Sequence, residues 1–308
     1  MFKRMLAAFG VGGPSVDTVL DTPAVMPGQL VRGRVRIQGG SADAAIDQIA
    51  LSLVTRAELE HGDHEMAGRA EFHRVVVAHG VQVRAGAPLD VPFEFAIPWE
   101  TPITAVGPTP LPGMVVGVRT ELVIAGAPDK GDLDQLTVPP LPSQDRVLDA
   151  FGQLGFQFRA ADVEVGRLHG VPQELGFYQE IEFFPPAQHA GRVSQVELTF
   201  VATPHELWVV LEADKRGGFL RAGGDSFGHF RMPHQQAETA DWAPVIDGWL
   251  AQVAAGRPQA FGHHDQHHGH HRRGPGMDAG VGGGAAGLVG GMIIGDMLSD
   301  DEGGGFEE

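Results

Sequence analysis

Residues 31–37 read Val31-Arg32-Gly33-Arg34-Val35-Arg36-Ile37, with arginine at every second position. A period of two is the period of a pleated strand. The stretch therefore predicts a half-buried strand, with Val31, Gly33, Val35 and Ile37 toward a core and the three arginines in water. Pro27-Gly28 before it and Gly39-Gly40 after it are turn signals. The same alternation recurs on both sides. Val16, Thr18 and Leu20 precede it; Ile49, Leu51 and Leu53 follow, in a strand running toward Glu60. The polar stretch 61–68 predicts a hairpin tip, and 72–79 the returning strand. Val91, Phe93, Phe95 and Ile97 alternate and stop at Pro98; 98–112 is a Pro/Thr-rich crossing. Val116, Val118, Thr120, Leu122 and Ile124 form the next strand. Residues 126–134 predict a polar loop, after which Leu136 and Val138 close the domain. About seven short strands separated by turn signals predict an immunoglobulin-like β-sandwich over residues 1–138.

Pro139-Pro140-Leu141-Pro142 predicts a stiff, extended linker, which suits a domain boundary. Ser143 is placed to N-cap a helix with Val147, Leu148, Phe151 and Leu154 on one face. A second β-rich domain is expected over 143–256. Its strands are predicted at 156–165 and 178–184, with a hairpin of 193–202 and 206–213 around Thr203-Pro204-His205. Trp242, Val245, Ile246, Trp249, Leu250 and Val253 mark a final helix ending at Gly256. Beyond it, 257–308 turns His-rich, then Gly-rich, then acidic. That composition predicts a disordered tail. The fold class expected is therefore all-β, with two tandem sandwiches and short helices.

The net charge of −17 repels nucleic-acid phosphates, and no Lys/Arg stripe with interleaved aromatics offsets it, so nucleic acid is excluded as a partner class. With no cysteine there is no disulfide framework and no thiolate nucleophile or ligand. No signal-peptide pattern opens the chain, which predicts a cytoplasmic protein. No Walker-type loop or His-Glu-x-x-His motif is present, and the reading is of a non-enzyme without cofactor.

The opening stretch, with Phe2 to Leu6, Val16 to Thr18, Asp21, Pro27-Gly28 and Gly39-Gly40 in that order, resembles the sporulation-control proteins of the SpoOM type. The segment VPFEFAIPWETP (91–102), the VPPLP linker and the GGMIIGDML tail (290–298) fit as well, so the likeness covers nearly the whole chain. The resemblance implies an arrestin-like pair of β-sandwiches. It also implies a regulatory protein that influences cell differentiation, and it carries over no catalytic residue.

Three sets of residues are candidates for binding. Phe2, Met5, Leu6 and Phe9 recur at helical spacing beside Lys3 and Arg4. They suit a short helix that packs on the first sandwich, touches a partner or lies on a membrane surface. Gly283, Gly287, Gly291 and Gly295 repeat every fourth residue among apolar neighbours, including Ile293 and Ile294, a pattern for close helix packing, self-association or docking into a partner. The alternative there is a disordered tail, because glycine weakens a helix by about 1 kcal/mol per residue against alanine. The uncharged run 279–295 is short for a bilayer span. His263, His264, His267, His268, His270 and His271 are spaced for Zn²⁺, Ni²⁺ or Cu²⁺, or for a charge change near neutral pH; the bland reading is a low-complexity spacer. His61, His64 and Glu65 form a lesser ligand set, at the predicted hairpin tip. The leading reading is a scaffold or adaptor for protein partners. The rivals are a metal- or pH-responsive sensor acting through the histidines and, by arrestin analogy, a peripheral membrane or trafficking adaptor.

Overall fold

The alternation at 31–37 is strand β2 (Leu30–Gln38), with Val31, Val35 and Ile37 buried and Arg32, Arg34 and Arg36 exposed. The computed structural model describes residues 12–61, 64–124, 130–215 and 226–256. β2 is the middle of a three-stranded antiparallel sheet, between β1 (Ser15–Leu20) and β5 (Pro88–Ala96), with Val35 opposite both Thr18 and Val91. Gly33 is required by its neighbours. A Cβ there would stand 2.4 Å from the Val19 carbonyl oxygen and 2.7 Å from the Phe93 ring. Outward, Arg32 pairs with Glu94 and Arg34 with Asp21, so this face is charged on both signs.

The opposing layer holds β3 (Ala44–His61), β4 (His64–Val83), β8 (Val116–Ile124) and β9 (Lys130–Leu136). Ile49, Leu51, Leu53, Val118 and Leu122 are fully buried there, in the same core cluster as the β2 and β5 residues. Within the crossing, β6 (Ala105–Val106) and β7 (Thr109–Pro110) form a small ladder.

The second half is an antiparallel meander of β10 (Gln157–Val165), β11 (Phe177–Phe184), β12 (Val193–Ala202), β13 (Glu206–Lys215) and β14 (Ser226–Pro233). Helices α1 (Pro142–Leu154), α2 (His234–Thr239) and α3 (Trp242–Ala254) supply the layer packed against it. Phe151 of α1 lies 4.4 Å from Phe156 and 4.6 Å from Phe183, centroid to centroid, and Trp242 meets Phe230 edge-on at 6.2 Å. The fold is mostly β, as the period of two demands. The described residues all fall in one unit, and the join between the halves is visible in the backbone. β3 pairs with β8 as far as Thr55, then runs on to pair in parallel with β10 at Glu58 and Glu164. The strand order β14-β13-β12-β11-β10-β3-β8-β9 thus runs through both halves, with β4 on the other side of β3.

Four local expectations change. Pairing of β3 with β4 persists to His61 opposite His64, so strand takes up most of the expected hairpin tip. The polar stretch 126–134 gives up residues 130–134 to β9, whose ladder with β8 runs from Val116–Leu136 to Leu122–Lys130; its carboxylates hid the strand. Ser143 is not the helix cap. Pro142 opens α1, Gln144 accepts the Leu141 N–H at 2.8 Å, and Ser143 is buried against His234. Pro140 and Leu141 are buried, with Pro139 half-buried and Pro142 exposed, so the predicted linker is packed at its middle.

Candidate functional site

The sequence candidates Phe2, Met5 and Leu6, the glycines Gly283, Gly287, Gly291 and Gly295 with Ile293 and Ile294, and the six histidines between His263 and His271 all lie outside the described residues. So do the side chains of His61, His64 and Glu65. Among the described residues no group of three or more His, Cys, Asp or Glu could hold a metal ion. No helix among them is long and apolar enough to cross a membrane.

What the described residues do assemble is a polar seam between the segment after β5 and the second half. Trp99 is placed by the Pro98 stop of β5 and by Gly28. Gly28 has φ +76°, and a Cβ there would fall 2.4 Å from the Trp99 ring. The ring stacks on His234, centroids 5.7 Å apart. His234 Nε2 lies 2.8 Å from the Thr203 carbonyl, which can only accept, so Nε2 carries the proton. In the neutral ring Nδ1 then accepts from the Ser143 hydroxyl at 2.8 Å. One imidazole thus ties α1, the β12–β13 turn, α2 and Trp99 together.

Next to it, Glu100 reaches across the seam. Its Oε1 accepts the Glu174 N–H at 2.7 Å and its Oε2 the Leu175 N–H at 2.8 Å. Burial pushes the Glu100 carboxyl above the usual carboxylate range, and those two N–H groups oppose the shift. Gln179 of β11 donates to the Ile103 carbonyl (2.8 Å) and accepts the Ile103 N–H (2.9 Å), pairing as a backbone would. A shallow recess lies here, bordered by Trp99, Pro102, Gln173, Phe177, Tyr178 and Phe200. It offers stacking and amide contacts but holds no nucleophile–base pair.

The described residues also hold two acidic groupings. Glu180 of β11 is half-buried near Glu197, Asp162, Glu164 and Glu212. Burial first, then these charges, raise its carboxyl to about 9, and they push the Tyr178 phenol up as well. On β9, burial and the neighbouring Asp132 raise Asp134 to about 6. Asp132 Oδ2 accepts the Thr18 N–H at 2.7 Å, fastening β1 to β9.

Gly224-Asp225-Ser226-Phe227-Gly228 has the Gly-x-Ser-x-Gly spacing of a hydrolase elbow, a motif that the sequence reading wrongly takes to be absent. That motif needs a sharp strand-to-helix turn. Here Ser226 opens an extended strand, paired with Ala213 of β13, so the required context is missing.

Sequence reasoning also missed Glu100, Gln173, Gln179 and His234. The available signals were Glu100 directly after Pro98-Trp99, and Gln173 between Gly170-Val171-Pro172 and Gly176. Neither reveals its partner, because both bonds span distant segments.

Compared with known proteins, the chain matches the family model described as SpoOM protein over residues 2–217. The chain belongs to the SpoOM family. A curated relative, the sporulation-control protein spo0M of Bacillus subtilis strain 168, is 34% identical over 263 residues, covering 82% of this chain and 98% of that one. The crystal structure of B. subtilis Spo0M superposes with a TM-score of 0.68 at 29% identity, covering 79% of this chain and 99% of that one. The fold is therefore a SpoOM fold, and the family is one of sporulation-control proteins, which fits a regulatory role.

Proposed function

We propose that this chain is a non-catalytic regulatory scaffold that works in the cytoplasm by binding protein partners through the open edge of β4. The observation that carries the reading is the strand itself. β4 is 20 residues long, and among the described residues only β3 pairs with it. An unpaired edge presents N–H and C=O groups at strand spacing, a template on which another chain can add a strand. Val75, Val76 and Val77 run together on it, and Val76 is 37% exposed. The control role in the name of the B. subtilis relative supports regulation, and the Ser143–His234 pair in the seam has its hydroxyl fully buried, out of reach of a substrate. The N-terminal residues Phe2, Met5 and Leu6 and the tail glycines are candidates for a second contact.

The test is crosslinking capture from the native host with the full chain, a Val76→Lys variant and a chain ending at residue 256. Each captured protein is then purified and titrated against all three. Val76→Lys should weaken binding at least tenfold while moving the melting temperature by only a few degrees, since the site is exposed. A further loss on ending the chain at 256 would assign a contact to the tail. Equal affinity for the Val76→Lys variant would overturn the β4 reading, and discrete capture by none of them would overturn the scaffold.

A further inference from the structure

We propose that residues 166–176 are a self-wired strap, latched across the seam by the single carboxylate of Glu100 and able to swing away as one rigid piece. The strap leaves β10 after Val165 and returns at Phe177 of β11. Its neck is closed by the Gly166 N–H donating to the Gly176 carbonyl at 3.0 Å. Inside, the buried Gln173 amide serves the whole loop. Its Oε1 accepts the Leu168 N–H at 2.8 Å. Its Nε2, with two N–H groups, is shared among the carbonyls of Gly166 (2.9 Å), Leu175 (2.8 Å) and Phe177 (3.0 Å). The Arg167 guanidinium closes the remaining side by donating to the Gln173 carbonyl at 3.0 Å. A loop with joined ends, filled by its own side chain, keeps its shape without outside support.

Toward the rest of the protein the attachments are few, and the Gln173 contact with the Phe177 carbonyl sits at the hinge on β11, where it would stay in place. Glu100 takes the Glu174 and Leu175 N–H groups, one on each oxygen, and Leu175 rests partly buried on the core. The other bonds across the seam, from Gln179 to Ile103, hold β11 and not the strap. They would stay in place when the strap lets go. Charge-assisted bonds of this kind are roughly twice as strong as neutral ones, so one residue controls the attachment. Release would widen the recess between Trp99–Pro102 and Phe177–Phe200, which Gln173 now borders. Nothing in this device depends on the β4 edge, so the two proposals stand or fall separately.

Residue-resolved amide hydrogen exchange on the full-length protein tests it, comparing wild type with Glu100→Ala, Glu100→Gln and Gln173→Ala. In Glu100→Ala the Glu174 and Leu175 amides should exchange at least tenfold faster, while the Leu168 and Gly166 amides, bonded inside the strap, keep their wild-type rates. Glu100→Gln retains one acceptor and should show a smaller change at the same two positions, which keeps the test available if the alanine variant folds poorly. Gln173→Ala should instead expose Leu168. Unchanged rates at Glu174 and Leu175 in both Glu100 variants would show that Glu100 is no latch. Loss of Leu168 protection together with them would show that the strap melts instead of swinging. Either result overturns the proposal.

Discussion

Glu180 is half-buried on β11 within reach of four other carboxylates, and burial first, then that crowding, makes its protonation sensitive to folding. Its carboxyl titrates near 9 in the fold against an ordinary 4.5. The folded state therefore holds a proton that the unfolded chain releases. The stabilisation is complete below about 4.5 and is lost as pH rises through about 9. Melting curves from pH 5 to 9 should show a falling melting temperature for the wild type and a flatter profile for Glu180→Gln, with the variant ahead by about 1–3 kcal/mol at pH 9. Parallel profiles would contradict this. Asp134 adds a smaller effect of the same sign near pH 6. Gly28 offers a second residue-scale test. Alanine there must adopt φ +76° and displace the Trp99 ring, which should cost at least about 2 kcal/mol in a denaturant titration. A loss under about 0.5 kcal/mol would mean that Trp99 is not held as described. The turn at Pro27-Gly28 was legible in the sequence, but the ring packed on it was not. Trp99 lies 71 positions later, and no local pattern links the two.

Each predicted element follows from its spacing, and the misses have physical causes. The α1 face of Val147, Leu148, Phe151 and Leu154 was readable because burial on a helix repeats every three to four residues. Phe151 is the core of that face, 1% exposed between Phe156 and Phe183. Phe151→Ala should therefore lose about 3–5 kcal/mol of stability by denaturant unfolding, and a loss below about 1 kcal/mol would contradict the packing. The start of α1 was misread because Ser143 has the right chemistry for a cap, whereas Pro142 already supplies the first helical residue. The Ser143 hydroxyl is spent on His234, 91 positions away. β14 and α2 went unread, because Ser226-Phe227-Gly228-His229-Phe230-Arg231-Met232-Pro233 has no clean alternation and carries a glycine and a proline. β9 was taken for a loop because acidic residues are poor strand formers. Its pairing with β8 overrides that preference.

Over the whole molecule, the period of two made the β fold and most of its strands legible, and the ordered motifs from Phe2 to Gly40 pointed to the family. The continuity of one sheet through both halves was not legible. It rests on β3 outrunning β8 and meeting β10 at Glu58, a pairing between strands more than a hundred residues apart. On the other side of β3, β4 keeps an edge unpaired among the described residues, on which the proposed scaffold role depends. The most direct measurement is amide hydrogen exchange of the full chain with and without a purified, captured partner. The account predicts new protection along β4, centred on residues 72–80, with the β2 amides unchanged. Protection confined to other segments, with β4 exchanging as in the free protein, would contradict it.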